Sequence, residues 1–64
     1  MDYIVLNSHI VSLSEIRDAY KYFDSIYIDF KNGDTKTLII KYTDISNRNE
    51  DFDLLIKFLM NPKN

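Results

Sequence analysis

The sequence predicts a small α+β domain, with an antiparallel β-sheet of three to four strands packed against one C-terminal α-helix. Three observations carry this. Residues 25–42, SIYIDFKNGDTKTLIIKY, set Asn32-Gly33 between two runs of β-branched and aromatic residues, the strongest short-range hairpin signal. Phe52, Leu55, Ile56 and Leu59 recur at i, i+3, i+4 and i+7, one apolar stripe on a helix over about 47–60. The chain has 64 residues and no cysteine, so it forms one domain, residues 1–64, around one small core that no disulfide can reinforce.

The central hairpin comes first because its loop length decides which side chains meet. Ile26, Ile28 and Phe30 share one face of the first strand, and Leu38, Ile40 and Tyr42 share one face of the second. A two-residue Asn-Gly loop would pair Ile26 with Ile39 and put the two apolar sets on opposite sides. A three-residue loop, Lys31-Asn32-Gly33, would pair Ile26 with Leu38 and gather the sets on one side. A one-residue slip flips every side chain, so burial selects the odd-length loop. Gly33, the only glycine, is then expected as the left-handed residue of a bulge.

Ahead of the hairpin, Tyr3-Ile4-Val5-Leu6 is a short apolar run ended by the turn pair Asn7-Ser8, and residues 9–11 form a second extended piece. The two read as a small hairpin or as two strokes of one bent edge strand. Ser12-Leu13-Ser14-Glu15 matches a capping box, with Ser12 as cap and Glu15 reaching back, which predicts a short helical turn near 12–16. Residues 16–23 fit a helical spacing through Leu13, Ile16, Ala19 or Tyr20, and Phe23. They also fit a strand with Ile16, Asp18, Tyr20 and Tyr22 on one side. The β-preferring Tyr20, Tyr22 and Phe23 favour a strand over about 17–22. Asp24-Ser25 reads as the turn into the central hairpin. Residues 43–49 are polar and rich in capping types; the helix after them carries Glu50, Asp51 and Asp53 toward its start and Lys57 and Lys63 toward its end, as the macrodipole favours. Asn61-Pro62 stops it.

Composition bounds the function. Eight basic against ten acidic residues leave a net charge of −2, too little for an electrostatic nucleic-acid footprint or for a DNA mimic. The longest apolar runs are three residues, or four where Tyr3 is counted, far short of a membrane span, and the N-terminus lacks the basic region of a signal peptide, so a reducing, cytoplasmic setting is expected. Ile, Asn, Lys and Tyr far outnumber Gly, Ala, Arg and Pro, which points to an AT-rich coding sequence.

No chemistry-bearing constellation stands out, and neither catalysis nor a cofactor nor a metal is expected. The only histidine, His9, neighbours Ser8, yet adjacent strand residues point to opposite faces. Asp29-Phe30-Lys31-Asn32-Gly33-Asp34 departs from calcium-loop spacing and lacks the closing glutamate. One glycine cannot build a phosphate loop. Asp29, Asp34, Asp44, Glu50, Asp51 and Asp53 read as solvated charges and helix-terminal acids rather than acid/base dyads.

What remains is surface. Leu54 and Phe58 lie nearly opposite the main stripe and one turn apart, the arrangement by which a helix enters a partner's groove. With Tyr20, Tyr22 and Tyr27, aromatic residues of the kind that dominate binding hot spots, they are the candidate partner-binding residues. The partner is a host protein or a second copy of the chain, a homodimer being one route to stability for so small a domain. The alternative is a dimeric nucleic-acid-binding regulator using a Tyr/Lys sheet face, through Tyr20, Lys21, Tyr22, Tyr27, Lys41 and Tyr42, opposed by Asp18, Asp24 and Asp29. No motif names a family. In size, AT-rich composition, lack of catalytic residues and ββα-type pattern the chain resembles the small proteins of phages and mobile elements that bind and block host defence proteins, CRISPR effectors included. That resemblance implies a non-enzymatic inhibitor.

Overall fold

A computed structural model describes residues 2–60. The fold is small α+β: strands β1 (Tyr3–Leu6), β2 (His9–Ser12), β3 (Ile16–Tyr22), β4 (Ser25–Phe30) and β5 (Leu38–Lys41) precede helix α1 (Ile45–Met60). They form two antiparallel sheets, the hairpin β1-β2 and the meander β3-β4-β5.

The first piece is a hairpin, not a bent edge strand, with Leu6 paired to His9 across a two-residue Asn7-Ser8 turn. Both turn residues have positive φ, 47° and 72°, as tight hairpins of this hand require. Asn tolerates that region; a serine Cβ does not, so Ser8→Gly is expected to raise stability by about 0.5–1 kcal/mol in urea unfolding, the relief of the Cβ penalty less glycine's added chain entropy. A loss of stability would mean that the turn gains more from the Ser8 side chain than its backbone pays in strain.

The short turn near 12–16 is present as a 3-10 turn, Leu13–Glu15, but the capping box is not. The Ser12 side chain makes no cap hydrogen bond; its hydroxyl lies 3.2 Å from that of Ser14. Backbone bonds hold the segment instead, from Leu13 N–H to the Asp2 carbonyl and from Lys31 N–H to the Glu15 carbonyl, both 2.8 Å.

Residues 16–22 are a strand, with one departure from strict alternation. A register shift between Ile16 and Asp18 turns Ile16 into the core while Asp18, Tyr20 and Tyr22 point out. The turn that follows is Phe23-Asp24, not Asp24-Ser25: Tyr22 pairs with Ser25, and Ser25 already belongs to β4.

In the central hairpin Ile26, Ile28, Leu38 and Ile40 share one face, with Phe30 packed beside them, as the odd-length loop requires. The loop is longer than three residues. Ile26 pairs with Ile40 and Ile28 with Leu38, leaving residues 31–37 as the connection. Moving the register by two keeps every side chain on its face, so patterning alone cannot distinguish the two loops. Position in the sheet does. A three-residue loop would push Ile40 beyond the start of β4, whereas the longer one seats it, fully buried, opposite Ile26. The loop is tied by its own polar groups: the Asn32 side chain accepts from Asp34 N–H, Thr35 N–H donates to the Asn32 carbonyl, and the Thr37 hydroxyl donates to Asp29. Gly33 is accordingly not left-handed, and a Cβ there would meet nothing within 4 Å.

Helix α1 begins two residues earlier than its apolar stripe suggests. Asp44 caps it, its carboxylate accepting from Ser46 N–H at 2.8 Å and its carbonyl from Arg48 N–H at 3.1 Å. No acid therefore lies in the first turn; the Asp44 cap faces the positive end of the dipole, and Lys57 lies in the last turn, toward the negative end. The expected stop at Asn61-Pro62, and Lys63, lie outside the described residues. Leu55 is fully buried, with Phe52 and Leu59 partly buried against the same core, whereas Ile56, the fourth residue of the stripe, is half-buried and outside it. One core joins the inner face of the meander (Ile16, Ile26, Ile28, Ile40), the underside of the first hairpin (Ile4, Leu6, Val11), Tyr42 and Leu55.

Candidate functional site

Helix and first hairpin both pack on the inner face of the three-stranded sheet, so among the described residues no other element covers its outer face. Pairing sets that face out in three rows. Tyr20, Tyr27 and Ile39 form the middle row. Asp18 and Asp29, with Thr37 bonded to Asp29, form the row toward the loop. Tyr22, Ser25 and Lys41 form the row toward the Phe23-Asp24 turn.

The middle of this face is aromatic. Tyr20 stacks on Tyr27 with ring centroids 5.5 Å apart, Tyr22 meets Tyr27 edge-on at 5.7 Å, and Phe23 packs against Tyr22 at 4.4 Å. Such geometries hold the rings in place beyond simple burial. At the loop end the two carboxylates sit across from each other, an unfavourable pair that Arg17 offsets. The bulge swings its guanidinium between them, with nitrogens 3.4 Å from Asp18 and 3.6 Å from Asp29.

Phe23 is the anomaly of the surface. It has φ 54°, a region that penalises a Cβ and suits glycine, and it is 77% exposed. A bulky apolar residue in that state gains neither backbone comfort nor burial within the chain. Its position is nevertheless held: the Arg48 guanidinium donates to the Phe23 carbonyl, and Tyr42 N–H donates to the next carbonyl, of Asp24. The left-handed position follows from where the strands end, with Tyr22 paired to Ser25, and nothing in the residues themselves marks Phe23 rather than Ser25 as a turn residue.

Of the residues expected to bind a partner, Tyr20, Tyr22 and Tyr27 are brought together on the outer sheet face. Leu54 and Phe58 are not part of it. They lie on the helix, 42% and 47% exposed, away from the stripe that enters the core. Phe23 and Ile39 join the sheet patch. The Tyr/Lys grouping is divided: Lys41 is on the outer face, but Lys21 pairs with Ile26 on the inner face and sets its ammonium 5.2 Å from the Phe52 ring. Tyr42 is buried, its hydroxyl donating to Asp51.

His9 is exposed, with Nδ1 3.0 Å from the Asn7 carbonyl, which gives that nitrogen the proton. Among the described residues no group of three or more His, Cys, Asp or Glu side chains could hold a metal ion, and no helix is long and apolar enough to cross a membrane. Comparison with known proteins returns no match: no family model fits the chain, and no characterised protein or solved structure is significantly similar to it.

Proposed function

We propose that the chain is a non-enzymatic protein-protein interaction module and that the outer sheet face is its principal contact surface. The observation that supports this is the aromatic cluster of Tyr20, Tyr22, Phe23 and Tyr27 on a face that no other element covers among the described residues, with Phe23 kept in a conformation that costs stability. Exposed aromatic residues held rigid by one another lose little entropy on binding, which is why they dominate hot spots. Leu54 and Phe58 provide a second, separate apolar surface on the helix. On the resemblance to small phage and mobile-element proteins, the module is an inhibitor that acts by occluding a host protein.

The nucleic-acid reading fares less well on this face. Its lysine complement is reduced to Lys41, and Asp18 and Asp29 share the surface, where they repel phosphate.

Two measurements test the proposal. Affinity enrichment from a host lysate, with the recovered partner purified and titrated, is expected to show binding weakened at least tenfold by Tyr22→Ser with Phe23→Asn. Asparagine accepts positive φ, so that variant keeps the turn while removing the ring. Leu54→Ser with Phe58→Ser reports on the helix surface in the same assay. Anisotropy titrations with labelled single- and double-stranded oligonucleotides are expected to show no specific binding. Oligonucleotide binding that falls steeply with salt would move the assignment to a nucleic-acid regulator.

A further inference from the structure

We propose that the occupant of the outer sheet face is a second copy of this chain, packed face to face about a two-fold axis that runs across the strands. The proposal rests on the interaction-module reading above and names what occupies that same face when the chain is on its own, a reversible contact that a host protein displaces on binding.

The argument is one of self-complementarity. The face carries Asp18 and Asp29 at one end, with the Arg17 guanidinium between them leaving that end net acidic, Lys41 at the other, and an apolar row of Tyr20, Tyr27 and Ile39 between the ends. An isologous interface places each end of the patch against either itself or the opposite end of the copy. An axis along the strands would set Asp29 against Asp29, like charges in contact. An axis across the strands lays β5 on β5 in opposite directions. Lys41 of each copy then reaches the Thr37 and Asp29 end of the other, and the opposite charges meet twice. The aromatic row meets itself at the centre, at the ~10 Å separation of packed sheets.

The same operation gives Phe23 a place. Its turn projects beyond the Tyr22 and Lys41 row, so the axis carries it past the acidic row of the partner copy, toward Arg17. Arg17 is exposed at the bulge and presents a guanidinium over which a ring can lie. A strained, exposed phenylalanine thereby acquires both burial and a cation.

Area sets the strength. Taking ~200 Å² for a whole aromatic side chain, the exposed parts of Tyr20, Tyr22 and Phe23 with Ile39 offer about 400–500 Å² per copy, so a pair buries about 1,000 Å² in total. That is the low end of specific interfaces, and it corresponds to a reversible dimer rather than an obligate one.

Sedimentation equilibrium of the full chain from about 1 μM to about 1 mM tests this. The expected result is a monomer–dimer equilibrium. Lys41→Asp alone and Asp29→Lys alone should each weaken it at least tenfold, because each sets like charges together at both contacts. Mixing those two singly substituted chains should restore dimers, since every contact across the axis is then again between opposite charges. Circular dichroism checks that each variant is folded; if Asp29→Lys loosens its Thr37 and Arg17 contacts, Asp18→Lys brings the same charge to the same end. A chain monomeric to the highest concentration overturns the proposal, as does undiminished dimerisation of Lys41→Asp or failure of the mixture to recover. Loss of a foreign partner by Tyr22→Ser with Phe23→Asn in a strictly monomeric chain would overturn the homodimer while leaving the interaction-module reading in place.

Discussion

Leu55→Ala is expected to lower the stability of the folded chain by about 2–5 kcal/mol, the range for truncating a fully buried leucine. Leu55 is the one helix residue completely removed from solvent, and it belongs to the same buried cluster as Ile4, Leu6, Ile26, Ile28 and Ile40, drawn from both sheets. At roughly 0.05–0.15 kcal/mol per residue, a chain of 64 residues holds about 3–10 kcal/mol in all, so one substitution removes much or all of it. Urea unfolding followed by circular dichroism measures the loss, with Leu54→Ala as the neighbour that should change stability by less than about 1 kcal/mol. Phe52→Ala should fall between the two, since its ring is only partly buried, beneath the Lys21 ammonium. Equal losses at Leu54 and Leu55 would mean that Leu54 faces the core as Leu55 does.

Tyr42→Phe should produce the second-largest effect, a loss of about 1.5–3 kcal/mol at neutral pH, the usual worth of a hydrogen bond to a charged group. The Tyr42 hydroxyl donates to Asp51 at 2.7 Å, and the same carboxylate oxygen accepts from Asn7 N–H at 3.1 Å. Asn7 in turn donates through its side chain to the Lys41 carbonyl at 2.7 Å. The turn of the first hairpin, the end of β5 and the helix are thus joined at one carboxylate. Burial, and then the hydrogen bond and negative charge of Asp51, push the Tyr42 phenol well above its ordinary value. The sign follows from the raised value. Above about pH 10 the unfolded chain releases this proton while the folded chain retains it. The contribution is fully present below that pH and is lost as pH climbs through the folded value. Stability measured from neutral pH upward should therefore decline beyond about pH 10 in the native chain, and less steeply in Tyr42→Phe. Identical alkaline slopes would show that the phenol is not held in this way.

The acid that makes this joint was visible in the sequence only as one of several near the helix start. Asp51 lies in the second turn of a helix that Asp44 caps, so its partners come from across the fold and not from the helix end. Phe23 is a similar case. A residue's φ depends on where its strands end, and those ends are set by the pairing of Tyr22 with Ser25.

By itself, the sequence determined the fold class, the burial of Ile26, Ile28 and Ile40 on one face, and the inward stripe of Leu55, because periods of two and of 3.6 residues encode which side chains can be buried together. Tertiary structure decided what periodicity leaves degenerate. A hairpin register shifted by two residues preserves every face, so the length of the central loop followed from seating Ile40 opposite Ile26. A bulge at Arg17 is invisible to alternation, and it sets Ile16 inward while Tyr20 and Tyr22 turn out. Which sheet face stays open depended on where the first hairpin and the helix both came to rest. With both on the inner face, Tyr20, Tyr22, Phe23 and Tyr27 share the other, a contact between residues whose strands pair only in the folded chain.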